Sequence, residues 1–233
     1  MKRFYKEVST AQVADGWQVM LDARAIKTQG GAAQIVPTQT LAEILASEWE
    51  TQGEELDPAM FRARDMTDYA LDVIAADPAA TAQRILPYAD TDTLCYRAEP
   101  EEPLFTRQQE VWEPLLSAFE TREGVSMQRI SGIMHRPQSP EAMAALAKKL
   151  GALDAFTLAA LETTTALSAS LCIGLSALEE GADTQALWDA ANLEEDWQAE
   201  LWGLDEEAEA RSAKRRDDFL FAIRFAASAR TAD

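Results

Sequence analysis

The spacing of hydrophobic residues differs between the first part of the chain and the rest. Up to residue 38, short runs of aromatic and β-branched residues (RFYKEVS, GWQVMLD and AQIVPT) are separated by turn signals at Asp15-Gly16 and at residues 29–31. Such runs with turns between them predict a small antiparallel sheet of about four short strands. Pro37, which has no backbone N–H to donate, is predicted to close the sheet.

Helical spacing begins directly after this sheet. Thr40 and Glu43 have the spacing of a capping box, and Leu41, Leu45 and Trp49 then recur on one helical face. The pattern therefore predicts a first helix that starts at the capping box and packs through Leu41, Leu45 and Trp49.

Almost only helices are predicted in the rest of the chain. The stripe Val111, Leu115 and Phe119 indicates the inner face of a helix over residues 104–122, which Pro114 is expected to kink or break. A short alternating stretch, SMQRISGIMH, is typical either of an isolated strand or of an irregular crossing. The predicted fold class is therefore α+β, with a small N-terminal antiparallel β region followed by a larger helical bundle domain.

One long apolar helix is predicted from a cap at Asp154 to an end at Gly181. Its uncharged part, from Thr163 to Leu178, is shorter than the roughly 20 residues that cross a membrane. We therefore expect a buried core helix and no membrane insertion. The predicted domains are residues 1–57, with the sheet and one helix, and residues 58–233, which are helical.

Charge narrows the possible partners. The chain has 21 Lys plus Arg against 40 Asp plus Glu, a net charge of −19. A surface this negative repels phosphate backbones and anionic lipids, so we expect no nucleic-acid partner. The two cysteines, Cys95 and Cys172, lie far apart in apolar settings, which is typical of buried free thiols in a reducing compartment. The start of the chain lacks the apolar core of a secretory signal, so a cytoplasmic location is expected.

For several kinds of catalytic and metal-binding site, the sequence contains no candidate residues. His135 is the single histidine, which argues against His-rich metal sites and Ser-His-Asp hydrolases. Neither a phosphate-binding glycine loop nor a calcium loop is present. We therefore expect no cofactor, no metal and no enzymatic activity.

Two acidic clusters remain as candidate sites. In ADTDTLCYR, Asp90 and Asp92 could hold a hard cation or divide acid and base roles, as in a metal-dependent hydrolase. The same Asp-Thr-Asp-Thr pattern is also typical of a turn that ends a helix. Both interpretations are open from the residues alone.

The second cluster is NLEEDWQAELWG. In a helix Leu193, Trp197 and Leu201 fall on one stripe, so at least two of the three acids at 194–196 face away from it, and Gly203 ends the helix. From pattern alone, a packed stripe with a solvated acidic face is favoured over a binding site.

Several motifs together resemble one family. The segments LEEDWQAELWG, DEEAEARSAKRRDDF, DTDTLCYRAEPEEPLFTRQQEVWEPLL, SGIMHRPQSPEAM and ASEWETQGEELDP are similar to successive motifs of the ATP-twelve chaperone family, from about residue 3 to residue 227. The resemblance implies a small β-rich N-terminal domain, a larger helical C-terminal domain, and a function in assembly of the F-type ATP synthase. Members of this family hold the free alpha subunit of that enzyme.

Residue roles follow from the resemblance alone. It implies that Glu194 serves the chaperone function and that Trp49 serves integrity and function. The expected partner is the unassembled alpha subunit, bound by a protein that is expected to be a monomer. A carboxylate-based hydrolase and a structural subunit of a larger complex are the alternatives. The predicted partner-binding residues are Glu194, Glu195, Asp196 and Trp197, and the predicted structural or functional residues are Trp49, Trp202, Gly203, Asp90 and Asp92.

Overall fold

The computed structural model describes residues 1–132, 134–203 and 205–230. Ile133, inside the segment predicted as an isolated strand or a crossing, lies outside the described residues. The strands are β1 (Val8–Val13), β2 (Gly16–Leu21), β3 (Arg24–Ala25), β4 (Tyr96–Arg97) and β5 (Ile130–Ser131). The helices are α1 (Gln39–Glu50), α2 (Arg62–Tyr69), α3 (Pro78–Ile85), α4 (Pro87–Asp90), α5 (Pro103–Glu123), α6 (Pro140–Leu150), α7 (Ala155–Ser168), α8 (Leu171–Ala177), α9 (Thr184–Ala191), α10 (Leu193–Trp202) and α11 (Glu206–Ala229). The predicted α+β class, with the antiparallel sheet first, is confirmed.

The N-terminal sheet has three strands, in the order β1-β2-β3, and all neighbours are antiparallel. The predicted strand AQIVPT forms only two isolated bridges, between Ala33 and Lys27 and between Val36 and Trp17. Pro37 follows at once and has no N–H, so the pairing ends there. Gly16, at φ +143°, is required beside the second bridge because a Cβ there would lie 2.3 Å from the Val36 carbonyl oxygen.

Two compact units divide the chain. The first comprises residues 1–78, 154–160 and 224–230, and the second comprises residues 79–153 and 161–223. The domain boundary expected from the sequence, between residues 57 and 58, stays a prediction.

In the first unit α1 packs on β1 and β2 through Leu41, Leu45 and Trp49, as predicted. The helix begins at Gln39 and not at the predicted capping box: Thr38 is the cap, and its Oγ1 accepts a hydrogen bond from the Leu41 N–H (3.1 Å). Thr38 has extended backbone dihedrals, as an N-cap requires, whereas Thr40 already lies inside the first turn.

Trp49 is a packing residue of this unit. Its ring lies 5.6 Å from Tyr5 and 4.5 Å from Phe61, and the Tyr5 hydroxyl donates to the Trp49 carbonyl (2.6 Å). The neighbouring Glu48 accepts hydrogen bonds from the backbone N–H groups of Ala63 (2.6 Å) and residue 64 (2.9 Å), so it caps α2, which has no cap of its own. The Glu-Trp pair thus connects α1 to the next helix.

The second unit is built around α5. Its buried face is Gln108, Trp112, Leu116 and Phe119, so the predicted stripe through Val111 and Leu115 was wrong except at Phe119. The Trp112 indole N–H donates to the Ala190 carbonyl (2.8 Å), which fixes the face that turns inward.

Of the two effects expected of Pro114, a kink or a break, the break is wrong, because α5 runs on to Glu123. Pro114 and Glu110 are both exposed, so the carbonyl that has lost its donor lies on the solvent side.

The predicted long apolar helix is two helices, α7 and α8. Asp154 caps α7 as predicted, accepting from the N–H groups of Phe156 (2.9 Å) and Thr157 (3.0 Å). The chain breaks at Ala169, which has φ +49°, and Ser170 then caps α8. Ser and Thr hydroxyls bind nearby backbone groups, and so they favour an interruption here. Within the described residues, no helix combines the length and apolarity needed to cross a membrane.

Candidate functional site

Residues 193–202 form α10, and the helix ends at Gly203 as predicted. The helix follows α9 after the single residue Asn192, and it contacts α5 and α9. Three acids in its first turn interact favourably with the positive end of the helix dipole. Gly203, at φ +88°, ends it and donates its N–H to the Ala199 carbonyl (2.8 Å).

Glu194 is held by a hydrogen bond from α5. Its Oε1 accepts a hydrogen bond from Gln108 Nε2 (2.6 Å), and Gln108 Oε1 accepts from the Ala98 N–H (2.8 Å). Because Gln108 is fully buried, its amide is held in one orientation. Partial burial raises the pKa of Glu194, and the hydrogen bond from Gln108 opposes that rise. Glu194 is therefore a positioned carboxylate and not a freely rotating one.

Trp197 is held by a cation. The Arg107 guanidinium lies 5.5 Å from the centre of the Trp197 ring and forms a two-pronged ion pair with Glu200, at 2.8 Å and 2.9 Å. Guanidinium over an indole is a favourable arrangement. This clamp fixes Trp197 half-buried on the α5 side of α10.

Glu195 faces α11. Its carboxylate pairs with Arg215 at 3.3 Å, and Arg215 also donates to the Leu167 carbonyl (3.0 Å) and lies 5.8 Å above the Trp188 ring. Arg215 thereby connects α7, α10 and α11 within the second unit.

Between α10 and α11 runs a groove of about 510 Å³, which we call the acidic groove. The Trp202 side chain is 78% exposed at its wall. The Asp196 carboxylate also lines it and forms no hydrogen bond or ion pair with another residue that the structure describes. Burial, followed by the charges of neighbouring acids, raises the pKa of Asp196. The further lining residues are Gln185, Trp188, Asp189, Glu195, Gln198, Ala199, Gly203, Asp205, Ala208, Glu209, Ser212, Ala213 and Arg216.

The predicted packed stripe on α10 is wrong at Leu201. Leu193 is buried and Trp197 is half-buried, but Leu201 is 58% exposed. No element covers the last turn of α10, within the residues that the structure describes, so apolar residues at 201 and 202 meet solvent. An exposed indole beside free carboxylates is the arrangement of a binding surface.

Asp92 has a structural role. It is fully buried, and its carboxylate accepts hydrogen bonds from Ser170 Oγ (2.6 Å) and from the N–H groups of Cys172 (2.9 Å) and Leu94 (3.0 Å). Burial raises its pKa, and these hydrogen bonds oppose that rise. With its lone pairs in use, Asp92 is a turn anchor, which is the second of the two interpretations that the sequence left open.

Asp90 anchors a loop. It accepts from the Gln138 N–H (2.7 Å) and faces His135 Nε2 (3.3 Å), whose Nδ1 meets the Tyr96 hydroxyl (2.8 Å). Across the described ranges, no three His, Cys, Asp or Glu side chains form a group able to hold a metal ion. Both cysteines are buried free thiols, as predicted.

The structure thus brings Glu194, Glu195, Asp196, Trp197 and Trp202 onto one helix. Asp90 and Asp92 lie elsewhere in the second unit, and Trp49 belongs to the first. Sequence reasoning missed Gln108, Arg107, Arg215 and Trp188. The one local signal for Gln108 was its place three residues before Val111, on the predicted inner face of that helix. The arginines had no such signal.

Comparison with known proteins identifies the class. A family model described as ATP12 chaperone protein matches residues 2–120, over half of the chain. The chain belongs to this chaperone family, as its motifs predicted.

Particular relatives extend the match over the whole fold. The crystal structure of Atp12 from Paracoccus denitrificans has a TM-score of 0.93 at 32% identity, over 98% of both chains. A candidate chaperone from Agrobacterium tumefaciens has a TM-score of 0.92 at 36% identity, over 98% of this chain and 86% of that one. The mitochondrial protein atp12 of Schizosaccharomyces pombe is 25% identical over 223 residues, 89% of this chain and 75% of its own.

Proposed function

We propose that this protein is an assembly chaperone that binds the unassembled alpha subunit of F-type ATP synthase and prevents its aggregation before assembly with the beta subunit. Membership of the chaperone family supports the class of function. The observation that carries the assignment of the site is the exposed Trp202 beside the unpaired Asp196 on the acidic groove.

The physical argument begins with the client. A subunit without its neighbour exposes apolar surface that aggregates. Trp202 and Leu201 offer exposed apolar area for such a surface, and aromatic anchors supply much of the affinity of protein interfaces. The acids around them favour a client segment that carries Arg or Lys, and they repel acidic surfaces.

Each predicted site residue then has a role. Asp196 would pair with client cations, and Glu195 would do so by exchanging its Arg215 partner for a client cation. Glu194 would fix the position of the first turn of α10, and Trp197, held by Arg107, would support the surface. Gly203 would set the position of Trp202 by ending the helix. Trp49, Asp90 and Asp92 would act through stability, since each is engaged in contacts inside its own unit.

The proposal includes the absence of catalysis, a monomeric state, no nucleic-acid partner and a cytoplasmic location. Two buried free thiols fit a reducing compartment. The hydrolase alternative has no specific observation in its favour, because Asp92 is used as a turn anchor.

The test is suppression of alpha-subunit aggregation, followed by light scattering with purified proteins. Asp196→Lys should abolish suppression, since it reverses an unpaired charge on the groove. Glu180→Lys makes the same change at an exposed acid away from the groove and should leave suppression intact. Failure of wild type to suppress aggregation would contradict the function, and equal loss in both variants would contradict the site.

A further inference from the structure

A second apolar groove lies in the first unit, beside β3, and we call it the basic groove. It has a volume of about 560 Å³. Its walls include the buried side chains of Tyr5, Leu21, Ile26 and Trp49, and its mouth carries Phe4, which is 61% exposed. Apolar side chains in a concavity that opens to water are typical of a docking groove.

The rim of this groove is positively charged. Arg24 and Lys27 line it, both are exposed, and neither side chain forms an ion pair with any residue in the described ranges. The acid on the rim, Asp22, accepts hydrogen bonds from the backbone N–H groups of Lys6 and Glu7 (3.0 Å each), which lower its pKa. The positive charges of Lys6 and Arg24 lower this pKa further. The rim thus carries two exposed cations and one carboxylate that the backbone already engages, in a chain whose net charge is −19.

The backbone beside the groove has an open edge. Among the described residues, β3 is the end strand of its sheet and pairs with β2, at Met20 and Leu21, while the chain just beyond it pairs at Lys27 with Ala33. The Ile26 N–H donates to Val19 (3.1 Å), so in an antiparallel ladder the N–H and carbonyl of Ala25 point away from β2. The open edge therefore offers an extended peptide the N–H and the carbonyl of one residue, Ala25.

We propose that the basic groove binds an extended acidic segment of a partner protein, with an apolar side chain in the groove and carboxylates at Arg24 and Lys27. This goes beyond the proposed chaperone site, which uses α10 and attracts cations. Charge selects the occupant: the chain as a whole repels an acidic peptide, so binding depends on the one rim where unpaired cations border apolar walls.

The test uses the full chain and a short fluorescein-labelled peptide that alternates Glu and Leu, followed by fluorescence anisotropy at low salt. Wild type should bind it. Lys27→Glu should weaken binding about fivefold through lost attraction, and Phe4→Ser should weaken it about tenfold through lost apolar contact. Lys148→Glu, the same change at an exposed lysine on α6, should leave affinity unchanged.

Absence of binding by wild type would overturn the proposal. Equal weakening by Lys148→Glu would also overturn it, because the effect would then come from net charge. A peptide with Ser in place of Leu, or single-stranded DNA, should bind poorly; binding as tight as that of the Glu-Leu peptide would show an unspecific anion site instead. Melting temperatures close to wild type confirm that the variants are folded.

Discussion

The segment Asp90-Thr-Asp92 and the first turn of α10 both place carboxylates beside apolar residues, yet the two sets have opposite environments. Asp92 is fully buried and accepts hydrogen bonds from three donors. Asp196 lines an open groove and has no partner among the described residues. The difference teaches that a carboxylate becomes structural when backbone N–H groups converge on it, and is available to a partner when none do.

Tryptophans show the same contrast. Trp112 is buried and donates its indole N–H to a carbonyl, whereas Trp202 is mostly exposed. A buried tryptophan stabilises the fold, and an exposed one beside acids is a candidate anchor for a client. The comparison predicts which substitutions change stability and which change binding.

The largest expected effect is at Asp92. Asp92→Ala leaves three buried donors without an acceptor, at about 1–3 kcal/mol each, so the free energy of unfolding should fall by at least about 3 kcal/mol. Urea unfolding followed by circular dichroism measures it. Glu195→Ala, on the open groove, is the contrasting variant and should change stability by less than about 1 kcal/mol. Similar losses for both would contradict the distinction between the two motifs.

Trp202→Ala should weaken binding and leave stability almost unchanged, in contrast to Asp92→Ala. Affinity for the alpha subunit should fall by about 2 kcal/mol or more, roughly 30-fold, while stability stays within about 0.5 kcal/mol of wild type. Titration calorimetry and urea unfolding measure the two quantities. Met134→Ala, at another exposed apolar residue, should leave affinity unchanged. A destabilised Trp202→Ala variant would place this residue with the structural tryptophans.

A smaller effect should depend on pH. The raised pKa values of Glu194 and Asp196 bring protonation closer to neutrality, so affinity for a basic client should decline as the pH falls from 7 towards the ordinary carboxyl range. The sign for stability is opposite: with the folded pKa raised, the folded state binds the proton more tightly, so this contribution to stability is lost as the pH rises through the folded pKa.

The variant Glu194→Gln tests how much of the pH dependence of affinity comes from Glu194. It keeps the size of the side chain, removes the charge, and should make affinity less dependent on pH without lowering stability at pH 7. Affinity measurements over a pH series are the check, with Glu180→Gln as the matched control. An unchanged pH profile would assign the dependence to other acids.

The smallest expected effect is at the Arg107–Glu200 pair, which is exposed. Glu200→Gln should shift the melting temperature by no more than about 2 °C, because exposed ion pairs add little stability. Scanning calorimetry measures the shift. A larger drop would mean that the clamp on Trp197 holds α10 in place and that this helix contributes to the stability of the fold.

The sequence by itself determined the elements whose signals are local. The end of α10 at Gly203, the cap at Asp154 and the early antiparallel sheet follow from caps, glycines and hydrophobic period over a few residues. Its series of motifs also identified the family. Three predictions were wrong: the cap at Thr40, the uninterrupted helix after Asp154 and the inner face of α5. A shift of one or two residues along a helix, or a serine cap inside it, changes these features while the composition stays the same.

Only the tertiary structure decided which carboxylates are buried and which are free. Asp92 accepts a hydrogen bond from Ser170, 78 positions away in sequence, and Glu194 accepts one from Gln108, 86 positions away. Trp202 is exposed because no element packs over the last turn of α10 in the described part of the chain. Burial depends on which distant segments pack against a residue. For that reason the local pattern could predict the helix that carries the candidate site, but not which of its side chains are exposed.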